Sequence, residues 1–194
     1  MSDRLNEPLA TAPRGESDDQ RRRTGILDNR PYRRVGIGEC IVSNDVDDVL
    51  SSIALGSCVA VCFWEPSARV AGILHFMLPE SRLNAERARE QPAVFADTGI
   101  ALLFHSAYDL GAQKKRCVVR LIGGAEVGGT RPEAVGGIFN VGRRNVLAAR
   151  SVLWRNGIMI SGEAIGGTAA RTIAMAVADG RVVVKSEGQL VAEL

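Results

Sequence analysis

The sequence predicts one α/β domain of the α+β type, in which mixed β-sheets form a sandwich and helices pack on the outside. Three observations indicate this fold class. Short apolar runs recur along the chain and are separated by Gly, Pro, Asn and Asp, which is typical of strands and turns. Two segments with helical periodicity lie between these runs. A chain of 194 residues, 46% of them hydrophobic, is long enough for one well-buried core and short for two.

The N-terminal segment, residues 1–33, is predicted to be a disordered tail, because it is rich in Arg and Asp and lacks a periodic apolar pattern. Three consecutive arginines at 21–23 could contact an acidic surface, although a solvated tail is the usual setting for such a run. The predicted domain therefore covers residues 34–194.

The first half of the domain contains three predicted strands. The run VGIGECIV, residues 35–42, predicts a strand with a bend at its glycines, and NDVDD after it is typical of a turn. The runs CVAVCFW, residues 58–64, and RVAGILHFML, residues 69–78, predict two more strands that are joined through Pro66 and Ser67.

Two helices are predicted next, after a charged stretch at 79–92 that we expect to be a mobile loop. The first helix begins at Pro92 and is closed by Gly111. Asn140 is the predicted N-cap of the second, which runs to about Asn156. The apolar stripe of the first helix consists of Ala96, Ile100, Leu103, Phe104, Ala107 and Leu110.

Four further strands complete the prediction. One covers residues 116–122, between the two helices, and the others cover 157–163, 171–178 and 181–187. The last pair is joined across Asp179 and Gly180, a favoured hairpin turn. A glycine-rich passage that starts at residue 123 matches no phosphate-binding pattern and is predicted to form turns.

Composition excludes several function classes. The net charge is +2, and the first 34 residues account for it, because the remaining chain has sixteen side chains of each sign. Together with an aromatic content of 5%, this balance predicts no nucleic-acid binding. Apolar runs fall far short of the roughly 20 residues that cross a bilayer, so no direct membrane insertion is expected.

The expected compartment is the cytoplasm. The N-terminus lacks the apolar region of a secretory signal, and cysteines in such a chain are expected to be reduced thiols. The four cysteines are Cys40, Cys58, Cys62 and Cys117.

Cys58 and His75 are a candidate nucleophile and base. A thiol attacks as the thiolate, and a neighbouring imidazole can take its proton. A two-residue turn at Pro66 and Ser67 would place Cys58 directly across from His75, with Cβ atoms about 5 Å apart. A longer loop would shift this register. The alternative is that both residues are ordinary parts of the core.

A metal site is not expected. Cys58 and Cys62 on one strand would lie about 13 Å apart, too far to share a zinc ion. The chain contains only two histidines, His75 and His105. We therefore expect neither a metal nor another cofactor.

Several motifs, in order, resemble the CheD family of chemoreceptor glutamine deamidases. They are GIGE near residue 36, LGSCVAVC with its cysteine at 58, HFMLP with its histidine at 75, GGA at 123–125, FNVGRRNV at 139–146 and GGTAAR at 166–171. The resemblance covers about residues 35–187.

The resemblance implies a deamidase that converts glutamine side chains on the cytoplasmic helices of methyl-accepting chemotaxis receptors to glutamate. It implies Cys58 as nucleophile and His75 as base. The third member of the family's site is a threonine, and this chain has Ser52 there. Gly56 and Ser57 are expected to shape the turn that presents the cysteine. Asn145 and Arg171 match family positions and are expected to have supporting roles.

Two other functions remain open. Because the resemblance also implies contact with a CheC-type phosphatase, the chain could be a non-catalytic module that binds chemoreceptors or that phosphatase. It could also be a thiol amidohydrolase with a different protein substrate, since related folds host that chemistry.

Overall fold

A computed structural model describes residues 32–126 and 140–194. Within these ranges the chain forms ten strands: β1 Tyr32–Arg34, β2 Glu39–Ser43, β3 Val49–Leu55, β4 Val59–Glu65, β5 Val70–Phe76, β6 Val118–Gly123, β7 Ile160–Ile165, β8 Arg171–Ala176, β9 Val182–Ser186 and β10 Gln189–Glu193. The α-helices of the same ranges are α1 Ala85–Glu90, α2 Ala96–Asp109 and α3 Val141–Arg155.

The strands form two mixed sheets of five. The first sheet has the order β1-β3-β8-β9-β10, and the second has the order β2-β5-β4-β6-β7. The pairs β1–β3 and β6–β7 are parallel, and the other pairs are antiparallel. The predicted α+β class and the mixed sheets are confirmed.

The second sheet is covered on both faces. Along β4, Ala60 and Cys62 pack against the first sheet, whereas Val61 and Phe63 pack against α2 and α3. A strand that is buried on both faces is apolar at consecutive positions, which explains the uninterrupted run in β4. The molecule therefore has three layers, with the second sheet in the middle and the two long helices outside.

Both predicted long helices are confirmed. Asn140 caps α3, since its side chain accepts a hydrogen bond from the backbone N–H of Arg143 at 2.8 Å. The start of the first helix differs from the prediction, because Pro92–Val94 forms a separate 3₁₀ turn before α2. Of its predicted apolar stripe, all but Leu110 are buried.

Three elements were predicted wrongly. Strand β3 was missed because Ser51 and Ser52 interrupt its apolar pattern, and β10 was missed because most of its residues are exposed. The stretch 79–92, expected to be a loop, contains α1, which the side chain of Asn84 caps. A short helix with a single buried residue has no apolar stripe to reveal it.

The start of the domain also differs. Tyr32 and Arg33, which were assigned to the tail, belong to β1. The rest of the predicted tail lies outside the described residues, as do residues 127–139 of the glycine-rich passage.

Candidate active site

Cys58 ends a tight connection between β3 and β4 and directly precedes the first residue of β4. The connection starts at a β-bulge, where the pairing of β3 with β8 shifts by one residue. Ala54 in this bulge has a left-handed φ of 58°, and its carbonyl accepts a hydrogen bond from Gly56 at 2.9 Å. Gly56 and Ser57 therefore lie in the turn before Cys58, and their role in presenting the cysteine stays a prediction.

The end of β6 holds this turn in place. The backbone N–H of Gly124 donates to the carbonyl of Cys58 at 2.8 Å, and that of Ala125 donates to the carbonyl of Gly56 at 2.7 Å. Gly123 has a φ of 113°, and a Cβ atom there would lie 2.3 Å from the carbonyl oxygen of Cys58. This close approach requires glycine.

The β4–β5 hairpin places Ala60, not Cys58, directly opposite His75. The expected two-residue turn is wrong, because the connection is the four residues Pro66–Arg69, and Arg69 has a left-handed φ of 52°. Cys58 lies two positions before Ala60 and so belongs to the same face of β4. It is therefore diagonal to His75, and diagonal neighbours on one face of an antiparallel pair have Cβ atoms about 7 Å apart.

A buried carboxylate explains the longer connection. Glu65 is 0% exposed, and it accepts hydrogen bonds from the backbone N–H groups of Ser67 at 3.2 Å and Ala68 at 2.8 Å. The guanidinium of Arg116, 2.5 Å away, and these N–H groups lower the pKa of Glu65 to about 2, against the effect of burial. The ionised side chain therefore organises the loop, and the loop sets the register.

Ser52 and His75 are joined by a hydrogen bond between the two sheets. The Ser52 Oγ lies 2.8 Å from the His75 Nδ1, and also 2.8 Å from the backbone carbonyl oxygen of Val35, to which it donates. A hydroxyl has one hydrogen, so the Ser52 oxygen must accept from His75. The imidazole therefore carries its proton on Nδ1, which leaves a lone pair on Nε2.

The Nε2 of His75 is buried and makes no hydrogen bond with the described residues. Burial lowers the pKa of His75 from 6.5 to about 4, although the carbonyl of Val35 and the charge of Glu39 act in the opposite direction. Burial also raises the pKa of the half-buried Cys58 thiol. Both groups are therefore neutral near pH 7, and the pair can act as a thiol beside an unprotonated base.

Cys58 is distinguished from the other thiols by its surroundings. Burial raises the pKa of both Cys40 and Cys62 to about 12. The thiol of Cys117 donates to the carbonyl oxygen of Lys114 at 2.8 Å. Cys40 and Cys117 pack against the helix side of the second sheet, and Cys62 is fully buried. Cys58 is therefore the partly buried thiol on the face that carries the imidazole.

Asn145 on α3 contacts the segments on both sides of the candidate site, which the sequence alone did not reveal. Its Nδ2 donates to the carbonyl oxygen of Ser57 at 3.0 Å and to that of Met77 at 2.9 Å. Arg171, at the start of β8, pairs with Leu55 beside the bulge of β3. The motif FNVGRRNV pointed to Asn145, but only the packing of α3 against the second sheet shows what its side chain contacts.

The residues described in the structure contain no cluster of three or more His, Cys, Asp or Glu side chains that could hold a metal ion. Within the same part of the chain, every helix is too short or too polar to cross a bilayer.

Comparison with known proteins identifies the family. The family model described as CheD, chemotactic sensory transduction, matches residues 77–186, a range that includes Asn145 and follows Ser52, Cys58 and His75. A solved structure of a Neisseria meningitidis protein with the family model DUF152 has a TM-score of 0.41 and 11% identity, and it covers 77% of this chain and 66% of that chain.

Relatives with high coverage are named as probable chemoreceptor glutamine deamidases. The protein of Syntrophus aciditrophicus is 42% identical over 160 residues, which cover 82% of this chain and 97% of that protein. The protein of Solibacter usitatus is 40% identical over 155 residues, covering 80% of this chain and 89% of that protein. The family model and these relatives together show that the chain belongs to the CheD family.

Proposed function

We propose that this protein is a protein-glutamine deamidase that converts glutamine side chains of chemotaxis receptors to glutamate and releases ammonia. The names of the relatives support the substrate class. The geometry at Cys58, His75 and Ser52 supports a thiol mechanism that needs no cofactor.

One observation carries the proposal. The Ser52 hydroxyl donates to the carbonyl of Val35 and therefore accepts the Nδ1 proton of His75. This arrangement leaves Nε2 as a buried acceptor on the face of the sheet to which Cys58 belongs, and no described residue donates to it. A base with its free lone pair on the side of the nucleophile is the arrangement that thiol activation requires.

In the first half of the reaction, the sulfur of Cys58 attacks the carboxamide carbon of the glutamine while Nε2 of His75 takes the thiol proton. We infer that backbone N–H groups of Ser57 and Cys58 stabilise the negative charge on the oxygen. The imidazolium then gives its proton to the leaving nitrogen. The C–N bond breaks, ammonia leaves, and a thioester with Cys58 remains.

In the second half, His75 takes a proton from a water molecule as that water attacks the thioester carbon. The C–S bond breaks, and the imidazolium returns a proton to the sulfur. The product is glutamate, and the Cys58 thiol and the neutral imidazole are restored. Each cycle replaces a neutral amide with a carboxylate on the receptor.

Removal of the sulfur tests the mechanism. Incubation of a purified receptor cytoplasmic fragment with the protein should release ammonia and convert glutamine to glutamate, as measured by peptide mass spectrometry. Cys58→Ala should lower the rate by about 10⁴-fold or more while the chain stays folded. Cys117→Ala, which removes another half-buried thiol, should keep the wild-type rate. A Cys58→Ala variant with full activity would contradict the assignment of the nucleophile.

The alternative is a module that binds chemoreceptors or a CheC-type phosphatase without catalysis. The observation in its favour is that Nε2 of His75 makes no hydrogen bond with Cys58. Catalytic hydrogen bonds often close only around the substrate, so this gap does not exclude catalysis. A wild-type protein that binds the receptor fragment and leaves all its glutamines unchanged would establish the alternative. Contact with a CheC-type phosphatase stays a prediction, which a binding measurement with the purified phosphatase would check.

A further inference from the structure

Asn145 is an unusual residue for its position. It lies in the second turn of α3, and its side chain is 0% exposed on the face that packs against the second sheet. Asparagine is a weak helix former, and burying an amide is costly unless it is hydrogen-bonded. The hydrogen bonds of this amide therefore explain its presence there.

The two N–H groups of the amide connect the two segments that carry the candidate nucleophile and base. One donates to the carbonyl of Ser57, the residue before Cys58, at 3.0 Å. The other donates to the carbonyl of Met77, two residues after His75, at 2.9 Å. A single planar group thus fixes both segments relative to each other.

The Asn145 amide joins the two segments beyond the point at which the pairing of β4 with β5 ends. The last paired residues of β4 and β5 at this end are Val59 and Phe76. Beyond this pair, the backbone of Met77 turns away and donates to the carbonyl of Val94. The bridge through Asn145 therefore continues the connection between the strands past the end of their ladder.

Net stability is a poor explanation for the residue. The Oδ1 of Asn145 is buried and has no hydrogen-bond partner within the described ranges. An unsatisfied buried acceptor costs about as much as a buried hydrogen bond contributes, so it offsets a large part of the gain from Nδ2. The main effect of Asn145 is therefore on the relative position of the two segments that its amide joins.

We infer that Asn145 is a positioning residue, which holds the turn of Cys58 at a fixed distance from His75 so that the thiol can reach Nε2. This inference rests on the proposed function for its biological meaning. Its physical content is a coupling between three side chains, which can be measured without a receptor.

The experiment is a double-mutant cycle on the reactivity of Cys58. The full chain is treated with iodoacetamide at pH 7, and alkylation of the peptide that contains Cys58 is followed by mass spectrometry. His75→Gln should slow alkylation, because the thiol loses its base. Asn145→Ala should slow it about 10-fold in the wild-type background and less than 2-fold in the His75→Gln background, since a displaced thiol matters only while the base is present.

Leu153→Ala is the matched control. Leu153 is on the same helix, is 0% exposed and belongs to the hydrophobic cluster between the helices and the second sheet, so its truncation loosens α3 but removes neither hydrogen bond of Asn145. It should lower the melting temperature and leave alkylation of Cys58 unchanged. If Asn145→Ala does not fold, Asn145→Ser is measured in its place, with the same expected result. The inference would be overturned if Asn145→Ala slowed alkylation of Cys58 by the same factor in the wild-type and His75→Gln backgrounds. It would also be overturned if Leu153→Ala slowed alkylation as much as Asn145→Ala does.

Deamidation distinguishes this result from the proposed function. On a receptor fragment, Asn145→Ala should lower kcat by about 10- to 100-fold and change KM less than 2-fold, as a misplaced nucleophile does. A wild-type protein without deamidase activity but with the expected alkylation cycle would refute the proposed function and keep the inference. A wild-type protein that deamidates the receptor fragment but shows additive effects in the alkylation cycle would support the proposed function and refute the inference.

Discussion

At the scale of residues, burial determines how Cys58 and His75 could react. Removing the thiol from water raises its pKa, and removing the imidazole from water lowers the pKa of His75 to about 4. A permanent thiolate–imidazolium pair is therefore disfavoured. Proton transfer has to accompany the attack of the sulfur, which makes the tautomer and orientation of His75 decisive.

Ser52 sets that orientation through its hydroxyl. Ser52→Ala removes the acceptor for the Nδ1 proton and leaves a buried N–H unpaired, at a cost of about 1–3 kcal/mol in stability. We expect kcat for receptor deamidation to fall about 100-fold, because the ring can adopt the unproductive tautomer. Steady-state ammonia release measures this change.

Ser52→Thr is the matched variant, since it keeps the hydroxyl and restricts its rotation. It should retain kcat within about 2-fold, although the added methyl group in a fully buried position can lower stability by about 1–3 kcal/mol. Equal rates for the Ser, Ala and Thr forms would show that the hydrogen bond to His75 has no part in turnover.

At the scale of elements, the position of Cys58 depends on how three strands end. The bulge of β3 changes which side chains face the other sheet, the turn at Gly56 and Ser57 follows at once, and the end of β6 binds that turn through two backbone hydrogen bonds. Glycine at 123 permits the contact, because any Cβ atom would collide with the carbonyl of Cys58.

Gly123→Ala tests this contact. It should destabilise the protein by more than about 2 kcal/mol, because a left-handed φ and a collision with backbone are combined. It should also lower kcat, because the turn of Cys58 has to shift. Chemical denaturation and ammonia release measure the two effects.

Gly157→Ala separates the effect of backbone strain from the effect of a steric collision with the added Cβ atom. Gly157 also has a left-handed φ, but a Cβ atom there would meet nothing within 4 Å. Its replacement should cost about 1 kcal/mol and leave kcat unchanged. If both glycine variants kept wild-type turnover, the end of β6 would not position the nucleophile.

At the scale of the whole molecule, the candidate site exists only when the two sheets are packed together. Ser52 belongs to the first sheet and His75 to the second, and both are buried in the interface between them. The hydrogen bond that fixes the imidazole is therefore a contact between layers, and the titration of His75 is linked to global folding.

The linkage predicts a pH dependence of stability. Between pH 6.5 and 4 the unfolded chain binds a proton at His75 and the folded chain does not, so folding becomes less favourable as the pH falls through this range. Relative to pH 7, the contribution of His75 should be a loss on the order of 3 kcal/mol at pH 4. Urea unfolding of wild type and His75→Gln at a series of pH values measures it as a difference in slope.

The variant His105→Gln removes the exposed histidine and serves as the control. Parallel stability curves for wild type and His75→Gln between pH 7 and 4 would contradict a buried, neutral His75.

Local features of the sequence determined much of the fold. The apolar runs of β4, β5 and β6 and the capped, amphipathic α2 and α3 are visible because burial and helix ends impose a residue pattern over a few positions. Where the pattern is weak, as in β3 with Ser51 and Ser52, prediction failed. A serine in a strand interrupts the apolar pattern, and the sequence does not show that its hydroxyl is buried and hydrogen-bonded to a residue of the other sheet.

The residue types of the candidate site were likewise set by the sequence, since the motif around Cys58 and the position of His75 identified them. Tertiary structure decided their arrangement. The ion pair of Glu65 with Arg116 helps set the hairpin register, the packing of two sheets pairs Ser52 with His75, and the docking of α3 brings Asn145 to both segments. These contacts join residues from 23 to 88 positions apart, and no local pattern specifies them, because their energy is gained only when the layers pack.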